Sequence, residues 1–308
     1  MVMANVYVSV DDTDDLTKTT STGAVAQHIA KCARELGGVV RYGISRHQLL
    51  LREDVPYTSH NSAMAFDMMI DPAALEEFAA RAVRTIFEMR AETSNPGFCI
   101  AAVPKPGRSE SDDERRLVDF GRKAKVEFCP VSEAAGLANT IPWVRLESHG
   151  GNGDGIVGAL AGVGLRLSGN DGRFRGKWDL VELMGSSTAR AGELEASLSS
   201  KVLGPVHVIG KDGTRAPRDA DCQLVEEAKP ILDRGVFTLV CEEENGFLVP
   251  YCKDDLEEIG NVDGSWSKVC DDFEIDNDLG ECEGMMPSCR NCLHRRWTRD
   301  SFECTVSK

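Results

Sequence analysis

The chain has 308 residues, 42% hydrophobic and 28% charged, which is long enough for two domains and ordinary for a globular protein. Its net charge of −15 is uneven: residues 241–283 carry −13, residues 284–308 carry +3, and residues 1–240 carry −5. The acidity argues against a wholly nucleic-acid-coating protein but leaves room for a local basic face, and the lack of any long apolar run or signal-peptide pattern predicts a cytoplasmic protein without a membrane partner.

Val6 to Val10 is a short valine-rich run and predicts a buried strand. Acids follow it at once. Ala24, Val25, Ile29, Ala30, Ala33 and Leu36 fit one face of a helix from about Thr20 to Leu36, with hydroxyls at its start and Gly37-Gly38 at its end. Val39 to Tyr42, His47 to Leu51 and Ser62 to Ile70 read as strands. Asp71-Pro72 opens a second helix reaching about Arg90. Asn95-Pro96-Gly97 is a turn signal before a strand, Phe98 to Val103. Lys105 to Arg115 reads as a polar loop entering a helix, and Val126 to Pro130 and Pro142 to Glu147 as strands. Gly150 to Gly155 opens a helix over Ile156 to Leu165. Beyond it, Trp178 to Met184, Val206 to Ile209 and Val236 to Val240 read as strands, and Ala191 to Leu203 and Leu224 to Asp233 as helices. The alternation predicts an α/β (α+β) protein.

Asp11, Asp12, Thr13, Asp14 and Asp15 place four carboxylates in five residues. Such a cluster repels itself unless cations or solvent intervene. Mg²⁺ takes oxygen ligands, commonly one or two carboxylates plus substrate phosphates, and a helix start adds N–H groups and the positive end of a dipole. A strand, then acids, then a hydroxyl-rich helix start therefore suits a nucleotide phosphate with its metal; the alternative is a solvated turn that caps a helix. Gly153-Asp154-Gly155-Ile156-Val157-Gly158 matches G-x-G-x-x-G, with Asp179 roughly 20 residues further, as a dinucleotide-binding oxidoreductase would have it. The same glycines can instead serve close helix packing. Arg46 or Arg52 can pair with a phosphate, and His60 or Asn61 can orient a substrate; the alternative is an ordinary polar loop.

Seven of the 11 cysteines fall in residues 241–308. Cys282, Cys289, Cys292 and Cys304 are the expected ligand set of a thiolate metal site, for Zn²⁺ or an iron–sulfur cluster, with free thiols as the alternative. The acidic run Asp271 to Glu283 misses calcium-loop spacing and reads as a solvated face.

Three stretches, in order, resemble the isoleucine-tRNA agmatinylcytidine synthetase (TiaS) family: Asp11-Asp12-Thr13-Asp14 with Ser21-Thr22-Gly23-Ala24; Pro56-Tyr57-Thr58 with Asn61, then Asn95-Pro96-Gly97; and Gly155 to Gly164. The resemblance covers roughly residues 4–185. It implies a kinase-like ATP-binding domain over residues 1–130 and a ferredoxin-like domain over 131–240, while charge and cysteine content set off residues 241–308 as a small acidic, cysteine-rich module. It implies an ATP-dependent ligase that phosphorylates a carbonyl oxygen for attack by an amine co-substrate, with tRNA as the acceptor in the family. Asp11, Asp12 and Asp14 would hold Mg²⁺ and ATP, with Thr13, Arg46, His60, Asn61, Gly153 and Gly155 around the nucleotide. Ser21 or Thr22 would stand where the family has a phosphorylatable threonine. Thr58-Ser59-His60-Asn61 replaces the family's K-T-R-G-N, so a lysine and an arginine are lost. A protein of this fold that binds nucleotide or RNA without the ligase step is the other expectation.

Overall fold

The computed structural model describes residues 3–15, 20–50, 61–104, 111–176 and 178–252, and the backbones of two short strands, Arg295–Trp297 and Phe302–Cys304. The chain divides into two compact units, Met1–Ser168 and Gly169–Lys308.

The first unit is built on a sheet of five strands: β1 (Ala4–Asp11), β2 (Val39–Gln48), β3 (Ser62–Ile70), β4 (Gly97–Val103) and β5 (Val144–Ser148). They lie in the order β5-β4-β1-β3-β2, each pair antiparallel. Alternation along β1 divides the core. Val6, Val8 and Val10 face α1 (Thr22–Glu35) and α2 (Leu75–Met89), in a cluster with Phe66, Phe78 and Ile86. Tyr7 and its neighbours on the other face meet α3 (Asp112–Val126), α4 (Val131–Asn139) and α5 (Gly155–Ser168).

α5 is buried on almost every side, so it is apolar all round and lacks a polar stripe. Its glycines set the approach. A Cβ on Gly158 would collide with the Asp11 carboxylate, one on Gly162 with Ser9, and one on Gly164 with the backbone of Leu117 in α3. Four residues past Gly162, Arg166 reaches Asp67 of β3, which pairs in register with Tyr7. Positions 158, 162 and 166 thus form one stripe running down β1 from Asp11.

Arg166 is 2% exposed. Its Nη2 lies 2.7 Å from Asp67 Oδ1, its Nη1 donates to Ser45 Oγ at 2.8 Å, and Arg41 Nε binds the other Asp67 oxygen at 2.7 Å. Carboxylate and guanidinium are therefore paired inside the unit, as buried charges must be. The sequence expected two strands between Val39 and Leu51. They form one strand, kinked where Tyr42 and Gly43 take φ of 58° and 87° and the register with β3 shifts.

The second unit contains β6 (Arg173–Phe174), α6 (Leu180–Met184), β7 (Thr188–Arg190), α7 (Ala191–Val202), β8 (Val206–Gly210), β9 (Asp221–Gln223), β10 (Ile231–Asp233), β11 (Val236–Glu244) and β12 (Phe247–Pro250). β11 pairs antiparallel with β10 and β12 and parallel with β8. Three expectations are corrected. Within the expected strand 178–184, residues 180–184 form α6, because the Asp179 side chain caps the Glu182 N–H at 2.7 Å and Gly185 closes the turn at φ 63°, and Trp178 keeps a single β-bridge to Ala228. Residues 224–233 form no helix: Pro230 breaks the stretch and Ile231–Asp233 pairs with β11. In the first unit, residues 126–130 are the end of α3 and a link to α4, not a strand.

Candidate phosphate site at the end of strand β1

β1 delivers the acids to the edge of the core. Asp11 is its last residue and sits beneath α5 at Gly158. Burial, then the negative charges of Asp12 and Asp14, push its carboxyl up to about 8. Asp12 turns the chain with φ 51°, a left-handed conformation that aspartate tolerates better than most residues. Its carboxyl is also raised, chiefly by burial, while the side-chain and backbone donors of Asn95 pull it down. At neutral pH Asp11 retains a proton unless a cation replaces it.

The rest of the loop is held from two sides. Thr13 is fully buried; its N–H and its hydroxyl meet Thr22 Oγ1 at 3.4 and 3.0 Å. Its carbonyl accepts the Ala91 N–H at 2.8 Å. Asp14 Oδ2 accepts the Thr22 N–H at 3.1 Å, which sets that acid against the start of α1. Asp15 accepts the Thr93 hydroxyl at 2.6 Å. Ser21 is the N-cap of α1, accepting the Ala24 N–H at 3.3 Å. Of the two hydroxyls expected at the phosphorylatable position, Ser21 is exposed and Thr22 is buried.

The glycine-rich loop lies beside the acids. Asn95 Nδ2 donates to Asp12 Oδ2 at 3.0 Å, and Asn95 Oδ1 accepts the Asn152 N–H at 3.0 Å. Gly97 and Gly155 approach so closely that a Cβ on either would strike the other's backbone. Gly153 has φ 89°, which suits a loop turning into a helix. These contacts correct the dinucleotide reading. The unit's strand pairs are all antiparallel, whereas that motif needs a parallel β-α-β unit. Gly155 and Gly158 make room for strand backbone and for Asp11, and Asp179 caps α6 in the second unit.

Arg46 is in register with Met64, and Met64 with Val10, so it stands at the same end of the sheet; its Nε donates to Ser62 Oγ at 3.0 Å. Asn61 closes the β2–β3 connection by donating to the Leu50 carbonyl at 2.6 Å. Arg52, the Pro56-Tyr57-Thr58 stretch, His60, Cys282, Cys289 and Cys292 lie outside the described residues, as does the side chain of Cys304. Among the described residues no three His, Cys, Asp or Glu side chains converge as a ready metal-ligand set. The oxygen donors here match a hard cation that takes only one or two carboxylates from protein and the rest from phosphate. Sequence reasoning read Asn95-Pro96-Gly97 as a turn signal and as part of the family resemblance but gave Asn95 no role of its own, and it missed the Asp67–Arg166 pair.

No protein-family model and no curated protein matches the chain. Solved structures do. The chain is similar to TiaS. The complex of TiaS with its isoleucine tRNA and ATP matches at 26% identity over 52% of this chain and 36% of that one, with a TM-score of 0.42. The complex of TiaS with the same tRNA, AMPCPP and agmatine matches at 25% identity over 52% and 36%, with a TM-score of 0.40. Apo TiaS, a tRNA agmatidine synthetase, matches at 20% identity over 64% and 44%, with a TM-score of 0.43. This chain spans less than half the length of those structures. Among the described residues no helix is long and apolar enough to cross a membrane.

Proposed function

We propose that the end of β1 binds the phosphates of ATP, and that the chain is an ATP-dependent, TiaS-like ligase acting on a tRNA acceptor. One observation carries this reading. Three motifs far apart in sequence meet at one point: Asp11 lies against Gly158, Asn95 holds Asp12, and Gly97 packs on Gly155. A solvated helix-capping turn would need none of those contacts.

In this reading Asp12 and Asp14 hold Mg²⁺, with Asp11 beneath them, and Gly153 and the start of α1 face the phosphates, while Gly155, packed on Gly97, seats the glycine-rich loop. Mg²⁺, when bound, offsets the charge that phosphoryl transfer develops. The chain's own residues position the reactants: α1 offers N–H donors, the glycine-rich loop lets a phosphate approach the backbone, and exposed Ser21 is the hydroxyl within reach of solvent. A phosphoryl group of ATP passes to a carbonyl oxygen of the acceptor, and an amine then attacks that carbon and expels phosphate. Arg46, His60 and Asn61 are proposed around the nucleotide and acceptor. The kinase-like domain expected over 1–130 is proposed to extend to Ser168, because β5 and α5 belong to the first unit; a ferredoxin-like domain from there to 240 and a cysteine-rich module over 241–308 complete the proposed division. Cys282, Cys289, Cys292 and Cys304 are proposed as a Zn²⁺ or iron–sulfur staple on the strength of their spacing.

The test is mass spectrometry of tRNA after incubation with ATP, Mg²⁺ and candidate amines such as agmatine. An amine-sized mass gain on one cytidine supports the ligase. ATP binding without turnover under every amine supports instead a nucleotide- or RNA-binding protein lacking the ligase step.

A further inference from the structure

Asn95 stands between the two loops that frame the site and uses both ends of its amide. Nδ2 donates to Asp12 Oδ2 and Oδ1 accepts the Asn152 N–H, each at 3.0 Å. Its backbone N–H also reaches the Asp12 carboxylate. Two donors from one residue fix the rotation of that carboxylate. They also hold Asp12 in the left-handed conformation, φ 51°. On the other side, Asn95 Oδ1 and its carbonyl press on Gly151 and Gly155 so tightly that neither tolerates a Cβ. Asn152 continues the chain of contacts by donating to Asp154 at 2.6 Å. A neutral side chain with one donor and one acceptor at this reach is an asparagine: aspartate lacks the donor, and glutamine is a methylene too long for loops already in contact.

We propose that Asn95 is a positioning residue, which aims the Asp12 carboxylate and couples the acid loop to the glycine-rich loop, so that a cation or phosphate held at one loop orders the other. The functional half of this proposal rests on the phosphate-site reading; the mechanical half does not. Acid and glycine-rich loops each have one rigid anchor, β1 and α5. Asn95, in the link between α2 and β4, joins their free parts.

The experiment compares full-length wild type, Asn95→Ala and Asn95→Asp by amide hydrogen exchange, and titrates Mn²⁺ alone by electron paramagnetic resonance. Loss of a hydrogen bond to a charged group predicts roughly tenfold faster exchange in Asn95→Ala at Asp12–Thr13 and at Gly151–Asp154, and roughly tenfold weaker Mn²⁺ binding. Asn95→Asp retains the acceptor, so protection persists at Asn152 and is lost at Asp12–Thr13. Wild-type exchange in both loops of Asn95→Ala overturns the proposal. Faster exchange in both loops, with a wild type that binds no Mn²⁺, upholds the coupling and overturns the phosphate-site reading instead.

Discussion

Two glycines of the same helix make opposite predictions when changed to alanine. At Gly164 a Cβ would meet the Leu117 carbonyl and the Val118 nitrogen, atoms of a helix backbone that cannot swing aside. Overpacking of this kind costs about 1–3 kcal/mol, while alanine recovers about 1 kcal/mol of helix propensity. The net expectation is a loss of up to about 2 kcal/mol, a fall in Tm of up to roughly 8 °C for a unit of this size. At Gly158 the Cβ would meet an Asp11 carboxylate oxygen and the end of Leu49, both of them side-chain tips. They can move, so propensity offsets the clash and Tm changes by no more than about 3 °C. What moves, however, is Asp11. Gly158→Ala is therefore expected to weaken Mg·ATP binding at least tenfold at nearly unchanged stability, and Gly164→Ala to lower Tm with binding retained at temperatures where the protein is folded. Circular-dichroism melts and calorimetric ATP titrations read the two effects. Unaltered ATP binding in Gly158→Ala, with binding present in wild type, would refute the role of the Asp11–α5 contact.

Three further outcomes are expected. In metal-free buffer the raised Asp11 carboxyl means the folded state holds a proton that the unfolded state releases, so its contribution to stability is full below about pH 4 and declines as pH rises toward about 8; the slope of Tm against pH should flatten in Asp11→Asn, and an unchanged slope would show that Asp11 is not buried as described. Asp67→Ala strands the buried Arg166 guanidinium and should cost about 3–5 kcal/mol in urea unfolding, with a loss under 1 kcal/mol contradicting the pairing. Metal analysis of the full chain should find close to one zinc, or brown iron–sulfur colour, that disappears when Cys289 and Cys292 are both changed to serine; retention of the metal would exclude that ligand set.

Much of the fold was legible because apolar periodicity and punctuation agreed. Asp71-Pro72 marks the start of the second helix, and Ser62–Ile70 is a strand along its whole expected length. Elements failed where local chemistry outweighed pattern. Residues 178–184 look like a strand by apolar content, yet one aspartate cap and one left-handed glycine make 180–184 a short helix. Pro230 ended the helical pattern of 224–233. Within the site, the acids and the hydroxyls at the α1 start could be read from order alone. The glycines could be seen but not interpreted, since G-x-G-x-x-G is silent on whether the neighbouring strands run parallel. The spacing of Gly158, Gly162 and Arg166 was a usable clue to a helix face lying on a strand. The partner of Arg166, 99 residues away, was not legible, because burial of a lone aspartate inside a strand leaves no local signature.

The most direct measurement is calorimetric titration of ATP with Mg²⁺ into wild type and into the double variant Asp12→Ala, Asp14→Ala. Loss of the charged ligands should remove about 3–4 kcal/mol of interaction, so the account predicts saturable binding to wild type and none detectable in the variant over the same range. Equal binding by both proteins, or none by wild type, would contradict a phosphate site at the end of β1.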